Sequence, residues 1–331
     1  MRQMTTGFIT EAKFPLLAEP KDKGLSLEGF LNLLKEEREE ISQQLLHHGG
    51  ILFRNFPVHN EVDFEKVINS LKFGKCIDYI GGDSPRKKIH GGVYTSTEAP
   101  PQIAIPLHNE LSFVKHFPKH IYFYCQIQPE VGGQTTISDA RKILRAVDER
   151  VKERLVEKGI KYVSCYYYKS KLMSTVNGSH KTWLDVFETD DKEEVERKCR
   201  ENEFDFEWTK NDWIRISQTR PATYVHPQTQ EEVWFNQCHL YDFNPKFLGW
   251  WRYLAVKALY CRDHMKLHDI FYGDGSRIPR EDIYHILDVL DANTVYFPWR
   301  KGDVLVLDNV LAMHGRATFS GKRRILAAMT G

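Results

Sequence analysis

The chain has 331 residues, 41% of them hydrophobic and 27% charged, with 46 basic side chains against 45 acidic ones and a formal net charge of +1. That length buries a large core, and that balance creates no field suited to nucleic acid or an anionic membrane. No window approaches the roughly eighteen apolar residues of a membrane span, and residues 1 to 17 lack an apolar core behind a basic start, so we expect a cytoplasmic protein without a signal peptide.

Residues 26 to 48 place Phe30, Leu33, Leu34, Ile41 and Leu45 at helical spacing and stop at Gly49-Gly50, which predicts one helix. Residues 50 to 54 then read as a strand. His59-Asn60-Glu61 reads as a turn opening a helix through Ile68, its acidic first turn suiting the helix dipole. Basic runs such as Arg86-Lys87-Lys88 are short and isolated, and read as solvated surface. Residues 102 to 107 form a strand that leads into His108-Asn109-Glu110, so His108 and Glu110 project from one face.

In 119 to 128, Ile121, Phe123 and Cys125 alternate with Tyr122 and Tyr124, as in a strand. After the Gly132-Gly133 turn, Thr135-Thr136-Ile137 forms another, and Ser138-Asp139 caps a helix reaching about Lys158. The stretches 162 to 168 and 204 to 208 read as strands, and 192 to 202 and 280 to 290 as helices. Residues 239 to 279, with Trp250-Trp251, are aromatic and turn-rich, and stand either as a lid or as a packing excursion. The last strands are 303 to 307, with Asp308 a turn residue after it, and 323 to 329; His314-Gly315-Arg316 lies between them.

Few of these strands follow β-α-β order, and neither a dinucleotide fingerprint nor a Walker loop is present. The expected fold is therefore mainly β with flanking helices, a two-sheet sandwich or barrel whose returning strands bring distant residues together. The six cysteines, at 76, 125, 165, 199, 238 and 261, show no C-x-x-C spacing and read as reduced thiols.

His108, Glu110 and His314 make a two-histidine, one-carboxylate set, which holds one face of a ferrous ion and leaves the other open. The second His-Asn-Glu, at 59 to 61, has none of the accompanying pattern. A chelating 2-oxo acid would need a cation for its far carboxylate, and Arg323 or Arg324 lies one return strand beyond His314; the Thr135 hydroxyl could share that carboxylate.

These motifs resemble one family. The stretches 105 to 110 (Ile-Pro-Leu-His-Asn-Glu), 132 to 135 (Gly-Gly-Gln-Thr), 233 to 237 (Val-Trp-Phe-Asn-Gln), 297 to 303 (Phe-Pro-Trp-Arg-Lys-Gly-Asp) and 314 to 316 (His-Gly-Arg) are similar, in order, to those of the TauD/TfdA iron(II)/2-oxoglutarate-dependent dioxygenases, and to the clavaminate synthase-like, syringomycin-type subgroup in particular. The resemblance implies a double-stranded β-helix, or jelly-roll, core of the cupin kind. It implies one domain over 1 to 331, with an N-terminal elaboration at 1 to 74 and an insertion at about 239 to 290. It further implies iron(II) on His108, Glu110 and His314, and 2-oxoglutarate on Thr135 and Arg323, with Arg324 the alternative anchor; dioxygen is the oxidant.

Taurine is disfavoured, because the position of that enzyme's sulfonate-binding arginine is Ala327 or Ala328 here. Hydroxylation is favoured over halogenation, because Glu110 fills the place that halogenases leave to chloride. The subgroup implies a small, amino-acid-like substrate, free or tethered to a carrier protein, with Asn109, Asn236 and Gln237 as candidate contacts and no catalytic residue beyond the metal ligands. Two rival readings use the same residues: a zinc hydrolase, which gives Thr135 and the arginine no task, and a β-sandwich binding module.

Overall fold

The computed structural model describes residues 1–77, 87–97, 99–168, 181–209, 212–259 and 266–331; Arg86 and Cys261 lie outside them. The chain opens with β1 (Met4–Gly7) antiparallel to β2 (Leu16–Pro20), which runs parallel to β3 (Gly50–Phe53). The periodic run between β2 and β3 forms two helices where one was expected, α1 (Leu27–Glu36) and α2 (Arg38–His48). The break at Glu37 lets α1 pack on α3 (Glu61–Leu71) while α2 packs on β3. Asn60 caps α3 by accepting from the Val62 and Asp63 amides, so the first His-Asn-Glu is a helix start.

Next come β4 (Lys88–His90), β5 (Val93–Thr95), β6 (Ile105–His108), β7 (His120–Ile127), β8 (Val131–Gly132) and β9 (Thr135–Asp139). The helix expected through Lys158 is also two, α4 (Ala140–Ala146) and α5 (Glu149–Lys158). Val147 is extended, and the Asp148 carboxylate accepts from the Arg150 and Val151 amides to start a new helix, which the apolar spacing does not reveal.

The middle of the chain builds a sheet of its own, in the order β11-β12-β10-β15, from β10 (Ile160–Tyr166), β11 (Asp205–Trp208), β12 (Ile214–Arg220) and β15 (His268–Tyr272). A hairpin, β13 (Thr223–Val225) with β14 (Glu232–Trp234), precedes the short helices Cys238–Tyr241 and Pro245–Leu248 and the helix Trp250–Leu259. The turn-rich stretch is therefore not one excursion, because its end returns as β15 to pair with β10. Trp250 and Trp251 stay exposed, at 68% and 87%.

The chain closes with β16 (Val295–Tyr296), β17 (Val304–Asp308), β18 (Ala312–Arg316), β19 (Phe319–Ser320) and β20 (Arg324–Thr330). Eight strands form one sheet in the order β1-β2-β3-β17-β7-β20-β5-β4, and four form the other in the order β16-β9-β18-β6. These are the sheets of a jelly-roll core in which strands distant in sequence return side by side.

Strand β7 shows why its register is fixed. Ile121, Phe123 and Cys125 enter the core shared with Leu107, Ile137 and Met313, while Tyr122 and Tyr124 enter the core beneath α1 and α3. A slip of one residue would exchange the two sets, and each large side chain gains roughly 1.5–3 kcal/mol from full burial. No disulfide is formed among the described cysteines. No described helix is long and apolar enough to cross a membrane.

Candidate metal centre

Antiparallel pairing of β18 with β6 puts His314 directly across from His108, and the two ring centroids lie 4.4 Å apart. That approach depends on Gly315, where an added Cβ would sit 2.4 Å from the Ile105 carbonyl oxygen and 2.7 Å from Thr136 Oγ1. Ligand atoms of His108, Glu110 and His314 all lie within 4.8 Å of one another, and all three residues are buried.

His108 and Glu110 are held from behind. The His108 Nδ1 lies 2.9 Å from the Pro106 carbonyl, which can only accept, so Nε2 is the unprotonated nitrogen of the neutral ring. Asn309 accepts from the Glu110 amide at 2.8 Å and donates to the Glu110 carbonyl at 2.9 Å, while Asn109 donates to the Asn309 carbonyl at 2.7 Å. This clamp joins residues about two hundred positions apart, and Leu111 leaves it at φ +54. His314 Nε2 faces Glu110 Oε2 at 3.4 Å, long for a hydrogen bond, and its Nδ1 has no partner among the described residues. Two imidazoles and a carboxylate brought this close together suit a shared cation.

Beside the three residues is a cavity lined by Ser96, Thr97, Phe123, Thr135, Arg316 and Arg323. Arg323 donates from Nε to the Gly133 carbonyl at 2.8 Å and from Nη1 to Ser96 Oγ at 3.4 Å. Gly133 must be glycine there: its φ is +67, and a Cβ would lie 2.9 Å from the Arg323 side chain. Arg316 spends its guanidinium on the carbonyls of Thr97, Ala99, Pro100 and Ile103. Neither arginine pairs with a carboxylate among the described residues. Burial, and then the charge of Arg316, pull the Arg323 pKa down to about 10, which still leaves it cationic at neutral pH. Arg324, by contrast, is exposed at the start of β20.

Trp299 donates to Thr135 Oγ1 at 3.2 Å, leaving the hydroxyl proton to point elsewhere. The turn that carries Trp299 is tied down by Asp303, which takes a buried two-point contact from Arg54 at 3.0 and 2.6 Å and a bond from the Arg300 amide.

Asn236 is wholly engaged by the backbone, donating to the Ala222 carbonyl and accepting from the Cys238 amide, and Gln237 is buried beside it with its amide donating to Tyr162 Oη. Asp308 does hold its turn, accepting from the Val310 and Leu311 amides, and it also pairs with buried His226 at 3.2 Å. A cavity of about 800 Å³ is lined by Leu111 and Phe113, just past Glu110, together with His226 and Asp308 but none of the three candidate ligands. Reasoning from sequence missed Asn309, Arg316, Trp299 and Arg54. Only Arg316 and Trp299 carried a signal, since both sit inside family-like motifs.

The fold and this arrangement define an iron(II)- and 2-oxoglutarate-dependent oxygenase that uses dioxygen. The chain belongs to the taurine catabolism dioxygenase TauD, TfdA family, whose profile matches residues 11–330. It is 35% identical over 289 residues to the dapdiamide synthesis protein DdaC of Enterobacter agglomerans, covering 87% of this chain and 84% of that one. It is 29% identical to a clavaminate synthase-like protein of Arabidopsis thaliana, over 96% of this chain and 93% of the other. In fold it is similar to PvcB, an Fe, alpha-ketoglutarate dependent oxygenase from an isonitrile synthetic pathway, with TM-score 0.53 and 15% identity over 99% of this chain and 91% of that one. It is also similar to AAD-2, solved with Mn(II) and N-oxalylglycine, at TM-score 0.56 and 12% identity over 99% and 96%. The enzyme acts on a small molecule.

Proposed function

We propose that His108, Glu110 and His314 hold the iron(II), that Arg323 and Thr135 hold the far carboxylate of 2-oxoglutarate, and that residues 1 to 331 work as one dioxygenase unit. The reaction is hydroxylation of an amino-acid-like small molecule, free or tethered to a carrier protein, with release of succinate and CO2. The observation that carries this reading is a three-ligand cluster within 4.8 Å beside the buried Arg316 and half-buried Arg323 guanidinium groups, which have no carboxylate partner among the described residues. A zinc hydrolase would leave those cations without a task.

Bound iron(II) supplies the redox chemistry that couples oxidative decarboxylation of 2-oxoglutarate to substrate oxidation. Everything else falls to the chain. Arg323, fixed by Gly133 and Ser96, presents its remaining donors to the co-substrate carboxylate, and Thr135 adds its hydroxyl proton because Trp299 already fills its acceptor side. Asn309 sets the direction of the Glu110 backbone. Phe123, packed 5.2 Å from the His314 ring, keeps the inner wall dry. Of the polar residues proposed to meet substrate, Asn109 and Asn236 act through the walls they brace, and Gln237 contributes its side-chain amide. The relationship to a dapdiamide synthesis protein supports a role in natural-product chemistry.

The test is anaerobic loading with iron(II) and 2-oxoglutarate, followed by oxygen. Oxygen uptake matched by succinate is expected, and Glu110→Ala should abolish hydroxylation. Full hydroxylase activity in that variant would remove Glu110 from the ligand set, and turnover of a substrate without oxygen uptake would favour the hydrolase.

A further inference from the structure

His239 is fully buried in the short helix Cys238–Tyr241, and its Nε2 lies 2.8 Å from the carbonyl of Leu107, the residue just before the His108 ligand. A carbonyl cannot donate, so Nε2 carries the ring proton and Nδ1 carries a bare lone pair. That Nδ1 is buried and has no partner among the described residues. Full burial lowers the ring's pKa and so favours its neutral form. A neutral ring of fixed tautomer beside the metal centre is an acceptor, and an acceptor only, on its unused edge.

The surroundings repeat the pattern. Gln218 donates from Nε2 to the Phe113 carbonyl at 3.2 Å, and its Oε1 is unpaired among the described residues. Both side chains therefore spend their donors on the backbone flanking the ligand turn and keep an acceptor in reserve. Phe113, Tyr162 and Tyr241 pack around the same helix at centroid distances of 5.0 to 6.0 Å, forming an apolar wall in which an unmatched lone pair is costly.

We propose that His239 is a substrate-binding residue of this oxygenase, whose Nδ1 accepts a hydrogen bond from an N–H or O–H of the substrate. It selects for a donor such as an amine, amide or hydroxyl at that place and against a carboxylate or carbonyl oxygen. This inference rests on the amino-acid-like reading of the substrate, whose amino group is such a donor.

The experiment uses the full chain loaded with zinc(II), which is redox-inert and diamagnetic, together with 2-oxoglutarate. Calorimetry is run with the proteinogenic L-amino acids as free acids and as pantetheine thioesters, the latter standing in for carrier tethering. His239→Gln keeps a donor for the Leu107 carbonyl and loses the Nδ1 acceptor, whereas His239→Asn keeps an acceptor at Nδ1 and loses the donor. For a ligand that binds the wild type, His239→Gln should weaken affinity roughly ten- to a hundredfold while leaving 2-oxoglutarate affinity unchanged. His239→Asn should bind more tightly than His239→Gln. In the wild type, the 15N resonance of His239 Nδ1 should move when the ligand is added, a readout that survives even if a variant fails to fold. Wild-type affinity in His239→Gln, or an unmoved resonance, overturns the proposal and makes His239 only a pin for β6. If no probe binds the wild type, the amino-acid reading falls first and this inference with it.

Discussion

At the scale of single residues, the most decisive contrast is between neighbours. Arg323 reaches the cavity beside His314, whereas Arg324 points to solvent at the first position of β20. Removing a buried, charge-assisted contact to a carboxylate costs about 2–4 kcal/mol, so Arg323→Ala should raise the Kd for 2-oxoglutarate roughly thirty- to a thousandfold. Arg324→Ala should stay within about 0.5 kcal/mol of wild type, as surface changes usually do. Calorimetric titration of 2-oxoglutarate into both variants checks this; the reverse order would move the anchor by one position. Arg323 and Arg324 could not be separated in the sequence, because adjacent strand residues face opposite sides and the phase of β20 was unknown until it paired with β7. His239 left no sequence signal either, since its role depends on a backbone carbonyl 132 positions away.

At the scale of elements, the proposed metal centre is a product of strand pairing. β6 and β18 must touch closely enough for His108 and His314 to face one another, and Gly315 is the point of closest approach. Gly315→Ala would push a methyl group into the Ile105 carbonyl, which is backbone and cannot swing away. We expect a loss of about 1–3 kcal/mol in stability and weakened metal affinity, because the strands separate where the ligands sit. Melting of the metal-free protein reads the first effect and cobalt(II) absorption the second; a variant that melts lower yet binds cobalt normally would uncouple the strand approach from the site. The clustering of residues 108, 110 and 314 was legible because the two-histidine, one-carboxylate pattern is restricted in residue type. The helix boundaries at Glu37 and at Val147-Asp148 were not, because apolar spacing continues across both breaks; the second is marked only by the Asp148 cap, and Glu37 makes no side-chain cap bond at all. The strand phase of 119 to 128 was legible, but its two-sided burial depended on α1 and α3 arriving from the N-terminal region.

For the whole molecule, the N-terminal region and the turn that carries Trp299 are joined by a buried ion pair. Arg54, just past β3, and Asp303, just before β17, are both almost fully buried, and Arg54 also donates to the Pro298 carbonyl at 2.7 Å. Breaking one half of such a pair leaves the other charge stranded, so Asp303→Ala should cost about 3–5 kcal/mol by urea denaturation. It should also loosen Trp299 and, through it, Thr135. A loss below 1 kcal/mol would mean that Arg54 finds water.

The same global stability depends on pH through histidines the fold keeps neutral. His120, under the Phe73 ring and near Asp308, Lys119, His226 and Thr330, has its pKa lowered chiefly by burial, against a smaller opposing pull from Asp308. An unfolded chain takes up a proton at about pH 6.5 that the folded protein declines, so this stabilisation is complete above that pH and is lost as the pH falls below it. The slope cannot exceed about 1.4 kcal/mol per pH unit for one excluded proton. His120→Leu removes the titrating group, so the variant should lose less stability than wild type between pH 7 and about 5.5. Parallel urea curves at the two pH values decide it, since equal losses in both proteins would show that His120 takes up its proton in the folded state.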